Sequence, residues 1–228
     1  CGQGEAFISF RLDGMVMSAV PYGSGHINDT FLVTLRRDDG SEGRVLLQRM
    51  NKSIFTQPVE LMENILNVTA YIREVIMQNG GDPERATLTV IGAKDDKPYF
   101  LDSEGNYWRC YVFIENARSY DQVESAEDFY QSAVAFRNFQ RLLADFPAET
   151  LHETIKGFHD TKARFEVFKK SVLADVCGRA ASVQKEIDFY LAHEELANVF
   201  GDLLAKGEIP LRVTHNDTKL NNIMIDTA

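Results

Sequence analysis

Three short β-rich runs near the start of the chain constrain the fold more than any other feature. They occupy residues 15–20, 30–35 and 45–50. Turn-forming residues separate them, at 21–25 and 37–40. Connections this short leave no room for a crossover helix, so neighbouring strands must run antiparallel. The sequence therefore predicts an antiparallel meander at the start of the fold.

The next segment predicts one helix followed by more strands. Apolar residues recur at three- and four-residue steps after Pro58, and the pattern ends at Asn79-Gly80-Gly81. Further strand signals follow, at 88–91, 99–101 and 108–114. A turn-rich segment at 103–106 joins the last two and predicts a hairpin.

The second half of the chain has the pattern of helices. Ser125 and Asp128 resemble a capping box, and an apolar stripe follows them as far as Leu143. Two more helices are predicted, at 162–174 and 183–205. A strand-rich part followed by a helix-rich part indicates an α+β fold with two lobes.

We expect an antiparallel-sheet N-terminal lobe at residues 1–115 and a partial, mostly helical C-terminal lobe at 116–228. The formal charge of −10 argues against a general nucleic-acid binder. No apolar stretch reaches membrane-spanning length, and no signal-peptide pattern opens the chain. The three cysteines are far apart and odd in number, which favours reduced thiols. We therefore expect a cytoplasmic protein with no membrane or nucleic-acid partner.

Residues 215–222 read His-Asn-Asp-Thr-Lys-Leu-Asn-Asn, which has the spacing of a phosphoryl-transfer catalytic loop. Asp217 is the candidate base, because transfer to a hydroxyl needs a carboxylate that orients the nucleophile and accepts its proton. Asn222 offers an oxygen ligand to Mg²⁺, and Lys219 can offset phosphoryl charge. His215 is expected to brace the loop by hydrogen bonding.

The alternative for this segment is an ordinary polar turn before a terminal strand at 223–225, because short motifs also arise by chance. Lys219 adds a fourth match to the frame. Apolar residues also lie on both sides of the loop, and the loop follows strands and then helices, as a catalytic loop of this type does. These three features favour the catalytic interpretation.

A second candidate element is the glycine-rich turn Gly23-Ser24-Gly25-His26. It lies between two strands rather than between a strand and a helix, which disfavours a Rossmann or Walker loop. A glycine-rich hairpin can cover nucleotide phosphates, because backbone N–H groups approach closely where no Cβ intervenes. A simple hairpin turn is the alternative.

The third strand should carry a group for the phosphates, and Gln48 and Arg49 are the candidates. Strand alternation allows only one of them to face a nucleotide, and Arg49 could equally be a surface residue. An acidic partner on the following helix could be Glu60 or Glu63, although both could be surface charges.

The end of the last predicted strand is the candidate hinge between the lobes. There the backbone of Phe113, Ile114 and Glu115 could pair with an adenine edge. An ordinary buried strand would have the same residues, so the segment alone does not decide between the two interpretations.

Taken together, these segments resemble the aminoglycoside phosphotransferase and choline kinase family, which has a protein-kinase-like fold. The resemblance rests on six stretches that span nearly the whole chain: Pro21-Tyr-Gly-Ser-Gly-His-Ile-Asn28, Leu47-Gln-Arg-Met-Asn-Lys-Ser-Ile-Phe55, Trp108-Arg-Cys-Tyr-Val-Phe-Ile-Glu115, Phe158-His-Asp-Thr161, Glu186-Ile-Asp-Phe-Tyr190 and residues 211–223. It implies a nucleotide-binding N-terminal lobe, and ATP- and Mg²⁺-dependent phosphorylation of a sugar. The implied acceptor is the anomeric hydroxyl of an N-acetylhexosamine, with Asp217 as base and Asn222 as metal ligand.

Two departures from the family pattern accompany the resemblance. Protein kinases usually have Arg before the catalytic Asp, whereas Asn216 stands here, which implies a small-molecule kinase without an activation-loop switch. The family also continues past Asn222 into a hairpin whose returning strand carries a second metal-binding Asp, and Asp226 is too close to be that residue. On this interpretation the strand at 223–225 would have an unpaired edge.

Three rival functions remain open at this level. The chain could be a nucleotide-binding module without catalytic competence. It could be a metal-dependent phosphohydrolase that uses His159 and Asp160, although Asp160 or Thr161 is expected to cap a helix instead. It could also be a kinase for another hydroxyl acceptor, such as choline, homoserine or an aminoglycoside.

Overall fold

The computed structural model describes residues 2–23 and 27–227. The predicted phosphate-loop residues Ser24, Gly25 and His26 lie outside the described part. The chain forms two compact units, Cys1–Thr154 with Val213–Ala228, and Ile155–Arg212. The first unit contains the predicted sheet, hinge and catalytic loop. The expected lobe boundary near Glu115 stays a prediction.

The predicted meander is present in an antiparallel sheet of six strands among the described residues. The strands are β1 at Met15–Pro21, β2 at Asp29–Arg36, β3 at Glu42–Arg49, β4 at Val90–Ile91, β5 at Phe100–Leu101 and β6 at Tyr107–Val112. Strands β1, β2 and β3 pair in sequence order, and β6 pairs with β3. The two short strands, β4 and β5, both pair with the other edge of β6.

A helix that the sequence did not predict, α1 at Gly2–Ser9, covers one face of this sheet. Its Ala6, together with Phe10 just beyond it, packs on buried side chains of β2, β3 and β6. Those side chains are Val33, Leu35, Val45, Leu47, Trp108 and Cys110. Each large apolar side chain buried in this way stabilises the fold by about 1.5–3 kcal/mol. The helix was missed because its eight residues include two glycines and show little periodicity.

Two longer helices belong to the same unit. Helix α2 spans Pro58–Gln78 with proline in its first turn, and α3 spans Ala126–Leu142. The predicted cap of α3 is confirmed, because the Ser125 side chain accepts a hydrogen bond from the Asp128 backbone N–H at 3.1 Å. A second apolar cluster joins Ile72 of α2 to residues that follow α3. That cluster also includes Val213, which precedes the catalytic loop.

In the second unit, α4 at Thr161–Ala174 begins where the sequence predicts. Asp160 caps it by accepting a hydrogen bond from the Ala163 N–H at 2.9 Å. This capping role explains the aspartate at this position, so a role as metal ligand is not needed. The single helix expected at 183–205 is wrong. Two helices, α5 at Gln184–Leu191 and α6 at Val199–Ala205, are separated by a 3₁₀ turn.

The break between α5 and α6 has a local cause. Backbone bonds tighten to three-residue spacing there, with the Leu196 N–H donating to His193 O and the Asn198 N–H to Glu195 O. Glu194 is also held by an ion pair with Lys169 of α4 at 2.8 Å. Within the described residues, no helix is both long and apolar enough to cross a membrane.

The last strand that the structure describes is paired along one edge, and no other described strand pairs with its second edge. Strand β7 at Ala117–Arg118 runs antiparallel to β8 at Ile225–Asp226. The N–H of Thr227 extends this pairing by donating to Asn116 O at 2.9 Å. The partner segment lies more than a hundred residues earlier in the chain, so no local pattern could reveal it.

Candidate active site

The catalytic-loop candidate is a tight turn anchored by one buried side chain. Residues Leu220–Asn222 form a 3₁₀ turn, and Leu220 is 9% exposed. The Lys219 N–H donates to Asp217 O, and the Asn222 N–H donates to Lys219 O, both at 3.0 Å. This backbone pattern turns the chain back on itself, so the side chains at the two ends of the motif can meet.

Asp217 and Asn222 lie in direct contact. The Asn222 amide Nδ2 donates to the Asp217 carboxylate Oδ2 at 2.7 Å and to the Asp217 backbone O at 2.9 Å. The amide nitrogen is used in this way, so the amide oxygen Oδ1 is the group of Asn222 that could bind a metal. The five-residue spacing of the motif therefore places a carboxylate beside a side-chain amide.

The electrostatics of the loop favour an ionised Asp217. The hydrogen bond from Asn222, followed by Lys219, holds the pKa of the Asp217 carboxyl below its usual value, although partial desolvation opposes this. Lys219 Nζ lies 3.4 Å from Asp217 Oδ2, and the two side chains are 55% and 60% exposed. Asp217 is therefore a carboxylate at neutral pH, as a proton acceptor must be.

His215 is held by aromatic rings. Its imidazole makes edge contacts with Phe136 and Phe139 of α3, with ring centroids 5.2 Å and 5.7 Å away. Bracing was predicted through hydrogen bonds, whereas the contacts in the structure are aromatic. Beside it, Asn216 adopts a left-handed backbone with φ of 61°, a conformation that asparagine tolerates better than most residues.

The predicted hinge is fastened on two sides by arginines. The Glu115 carboxylate accepts from Arg44 Nε at 2.8 Å, and this ion pair lowers the pKa of the Glu115 carboxyl. Arg44 also lies over the Phe113 ring, 4.4 Å from its centroid. On the other side, Arg85 Nη1 donates to Glu115 O at 2.6 Å. Arg85 also forms an ion pair at 3.3 Å with Asp226, in the strand that follows the catalytic loop.

Other backbone groups of this hinge are available to a ligand. The Phe113 N–H donates to Arg44 O at 3.1 Å. The Phe113 carbonyl and the Glu115 N–H have no hydrogen-bond partner within the part of the chain that the structure describes. Ile114 lies half-buried between them. A cavity of about 170 Å³ lies against the 112–115 segment and the 84–89 loop. It is smaller than the cavities of about 300–1,000 Å³ that bind drug-sized ligands.

The strand candidates for phosphate binding have different environments. Gln48 Nε2 donates to Thr30 Oγ1 at 2.9 Å, and Gln48 Oε1 accepts from Arg109 Nε at 3.0 Å. Arg49 instead pairs with Asp29, its Nε lying 2.8 Å from the carboxylate. Sequence reasoning missed Arg109, although a cation inside the apolar strand 107–112 was a signal that could have found it.

Two further candidates can be placed only in part. Gly23 has a φ of +81°, and no atom of the residues that the structure describes lies within 4 Å of the position a Cβ would take. A side chain there would therefore meet conformational strain rather than a clash. Of the two acidic helix residues, Glu63 pairs with His152, Oε2 to Nε2 at 2.7 Å. The structure shows no partner for Glu60 among the residues it describes.

The residues of the loop fit a magnesium ion that is shared with phosphates. Across residues 2–23 and 27–227, no cluster of three His, Cys, Asp or Glu side chains could hold a metal alone. Asn222 Oδ1 and the Asp217 carboxylate are oxygen donors, which Mg²⁺ prefers. Mg²⁺ commonly takes one or two protein oxygens and completes its octahedron with water and substrate phosphates. The donor set therefore matches Mg²⁺ brought in with a nucleotide.

The fold and the loop together define a protein of the kinase-like phosphotransferase class. The model of the phosphotransferase enzyme family matches residues 18–228, so the chain belongs to this family. Membership confirms the α+β, protein-kinase-like fold class and the broad family resemblance. Among solved structures, the chain is similar to spectinomycin phosphotransferase in complex with ADP and spectinomycin, with 12% sequence identity and a TM-score of 0.38. That match covers 91% of this chain and 59% of the other.

Proposed function

We propose that this protein is an ATP-dependent small-molecule kinase that transfers the γ-phosphoryl group to a sugar hydroxyl. The observation that carries the proposal is the contact between Asp217 and Asn222, 2.7 Å apart in a chain of the phosphotransferase family. A base and a metal ligand must both reach the transferring phosphoryl group, and the contact supports the proposal because it holds these two side chains next to each other.

Each residue of the loop has a separate task in the proposed mechanism. Asp217 orients the acceptor hydroxyl and takes its proton as the acceptor oxygen bonds to the γ-phosphorus, while the bond from the γ-phosphorus to the β–γ bridging oxygen breaks and ADP leaves. Lys219, whose ammonium lies 3.4 Å from Asp217, offsets negative charge on the transferring group. Asn222 holds Mg²⁺, which neutralises phosphate charge when bound. His215, between two rings of α3, keeps the loop against the helical part of its unit.

The nucleotide end of the site uses backbone groups in this proposal. The free carbonyl of Phe113 and N–H of Glu115 offer one acceptor and one donor, which is what an adenine edge requires. Ile114 supplies half-buried apolar surface next to them. The glycine-rich sequence Gly23-Ser24-Gly25-His26 supplies backbone N–H groups for the phosphates in this proposal. Residues 1–115 then act as the nucleotide-binding lobe and 116–228 as part of the second lobe.

The acceptor we propose is the anomeric hydroxyl of an N-acetylhexosamine, the reaction of an N-acetylhexosamine 1-kinase in the cytoplasm. Its support is the sequence resemblance of the six stretches, of which 211–223 contains the catalytic loop. Choline, homoserine and aminoglycosides are the competing acceptors, and each also offers a hydroxyl to the same base.

A transfer assay with labelled ATP and Mg²⁺ tests the proposal on a panel of these acceptors. Transfer to N-acetylglucosamine or N-acetylgalactosamine should block the reducing end, because the anomeric oxygen becomes the phosphate ester. Phosphorylation that leaves the reducing end reactive would contradict the anomeric position. Transfer to choline, homoserine or an aminoglycoside alone would keep the kinase and change its acceptor. Nucleotide binding without transfer to any acceptor would favour a binding module.

A further inference from the structure

The sheet has two faces: α1 fills the first, whereas the second has one buried side chain, Tyr111, among half-buried and exposed ones. Side chains at odd positions of β3, such as Val45 and Leu47, are buried against α1. Arg49 continues that set and is paired with Asp29 on the neighbouring strand. The first face is therefore packed, and its arginine already has a carboxylate partner.

The second face comprises Leu32, Arg44, Leu46, Gln48, Arg109 and Tyr111, which strand register places together. Leu32 and Leu46 lie on central strands yet are only half-buried. Arg44 of this face lies over the ring of Phe113, the first residue of the proposed hinge. A nucleotide held by that hinge would therefore lie along the second face, because α1 fills the first.

On this second face, the third strand has no cation near its C-terminal end. Gln48 is neutral, and a neutral amide offers hydrogen bonds but no charge to a phosphate. Register places Gln48 directly opposite Thr30 on one side and opposite Arg109 on the other. The three side chains form one hydrogen-bonded row, from Thr30 through Gln48 to Arg109.

Arg109 has the properties that a phosphate-binding cation needs. Its Nε donates to Gln48 at 3.0 Å, which leaves the four N–H groups of the terminal nitrogens for a ligand. The guanidinium lies over the Tyr111 ring, 5.4 Å from its centroid, and this cation–π contact helps to hold it in place. No carboxylate within the described residues forms an ion pair with it.

We infer that Arg109 on β6 provides the cation that binds the nucleotide phosphates, and that Gln48 on β3 is its positioning residue. Thr30 fixes the Gln48 amide by accepting from Nε2, so Oε1 is turned toward Arg109. The cation that was expected on β3 is therefore supplied by the neighbouring strand, β6. This inference rests on the proposed function, since it presumes a nucleotide on the second face.

Equilibrium binding of ADP, with adenosine as a phosphate-free probe, tests the inference. Arg109→Gln should weaken ADP binding by about 10- to 100-fold, the usual worth of a hydrogen bond to a charged group. Adenosine binding should not change, which also shows that the variant is folded. Arg36→Gln is the matched control, because Arg36 is an exposed arginine at the end of β2 and should bind ADP as the wild type does.

Two further variants test the positioning role. Gln48→Leu removes the acceptor for Arg109 and should cause a smaller loss of ADP affinity. The double variant Gln48→Lys with Arg109→Gln returns a cation to the third strand and should recover part of the lost affinity. Recovery would not occur if Arg109 only stabilised the sheet.

The outcomes separate this inference from the proposed function. Wild-type affinity for ADP in Arg109→Gln would overturn the inference while the kinase proposal stands. If the wild-type protein bound neither ADP nor adenosine, the kinase proposal would fail, and the inference with it. If Arg109→Gln lost adenosine as well, the arginine would be structural, and the phosphate role would be excluded.

Discussion

Two regions of the first unit hold an aspartate by hydrogen bonds, and they use it in opposite ways. In the β5–β6 hairpin, Asp102 is 4% exposed and accepts from Trp108 Nε1 at 2.8 Å and from the N–H groups of Glu104 and Asn106. In the proposed catalytic loop, the side chain of Asp217 is 60% exposed and accepts a hydrogen bond from Asn222. One carboxylate is enclosed by its donors, and the other is open to a ligand.

The pKa of each carboxyl lies below its usual value, but hydrogen bonding and burial contribute differently at the two sites. Burial opposes ionisation of Asp102, and the hydrogen bonds from Trp108 and Asn106 outweigh it. For Asp217, the hydrogen bond from Asn222 is the largest influence, and it outweighs the opposing effect of desolvation. A lowered pKa therefore does not identify a catalytic group. The distinction is whether the carboxylate still has an oxygen that a substrate can reach.

The largest expected effect is that of Asp217→Asn on turnover. Loss of a general base should reduce kcat by about 10²- to 10⁴-fold, or about 3–5 kcal/mol of barrier. The free energy of unfolding should stay within about 0.5 kcal/mol of wild type, as for most surface substitutions. Steady-state kinetics and urea unfolding measure the two quantities. Asp38→Asn, in the exposed β2–β3 turn, is the control. Full turnover in Asp217→Asn would remove Asp217 from the mechanism.

Asp102→Ala should give the opposite result. It leaves the N–H of Trp108, which is 3% exposed, without its acceptor. An unsatisfied buried donor costs about 1–3 kcal/mol, and more where the lost partner was charged. The free energy of unfolding should therefore fall by about 3 kcal/mol, while kcat of the folded enzyme is kept. A free energy of unfolding equal to that of Asp38→Ala would show that the Asp102 carboxylate does not stabilise the fold.

The two regions also differ in how much their sequence reveals. Residues 215–222 are contiguous, so their spacing alone predicted that Asp217 and Asn222 belong to one loop, although it did not predict the hydrogen bond between them. The capping of α3 by Ser125 was predictable for the same reason. The row from Thr30 through Gln48 to Arg109 exists only because three strands pair in one register, and no short window contains it. The pairing of β7 with β8 likewise depends on a contact between residues that are distant in the chain.

The pH dependence of stability should show whether the buried Asp102 is charged. Because the folded pKa of Asp102 is lowered, its stabilising contribution is complete above the unfolded value of about 3.9 and disappears as the pH falls through the folded value. The difference in unfolding free energy between wild type and Asp102→Asn should therefore be constant at neutral pH and shrink in acid. Urea titrations from pH 7 downward measure it. A difference that does not change with pH would contradict a charged Asp102.

The smallest expected effect concerns Lys219 and the acid limb of the pH–rate profile. Asn222 and Lys219 both lower the pKa of Asp217, so removing one donor in Lys219→Met should move the acid limb of kcat/KM to higher pH. Lys219 is 55% exposed, and charges at that exposure are screened by salt. Raising the salt concentration should therefore move the wild-type limb in the same direction and leave the Lys219→Met limb nearly unchanged. An acid limb that is identical in both proteins at low salt would assign it to a group other than Asp217.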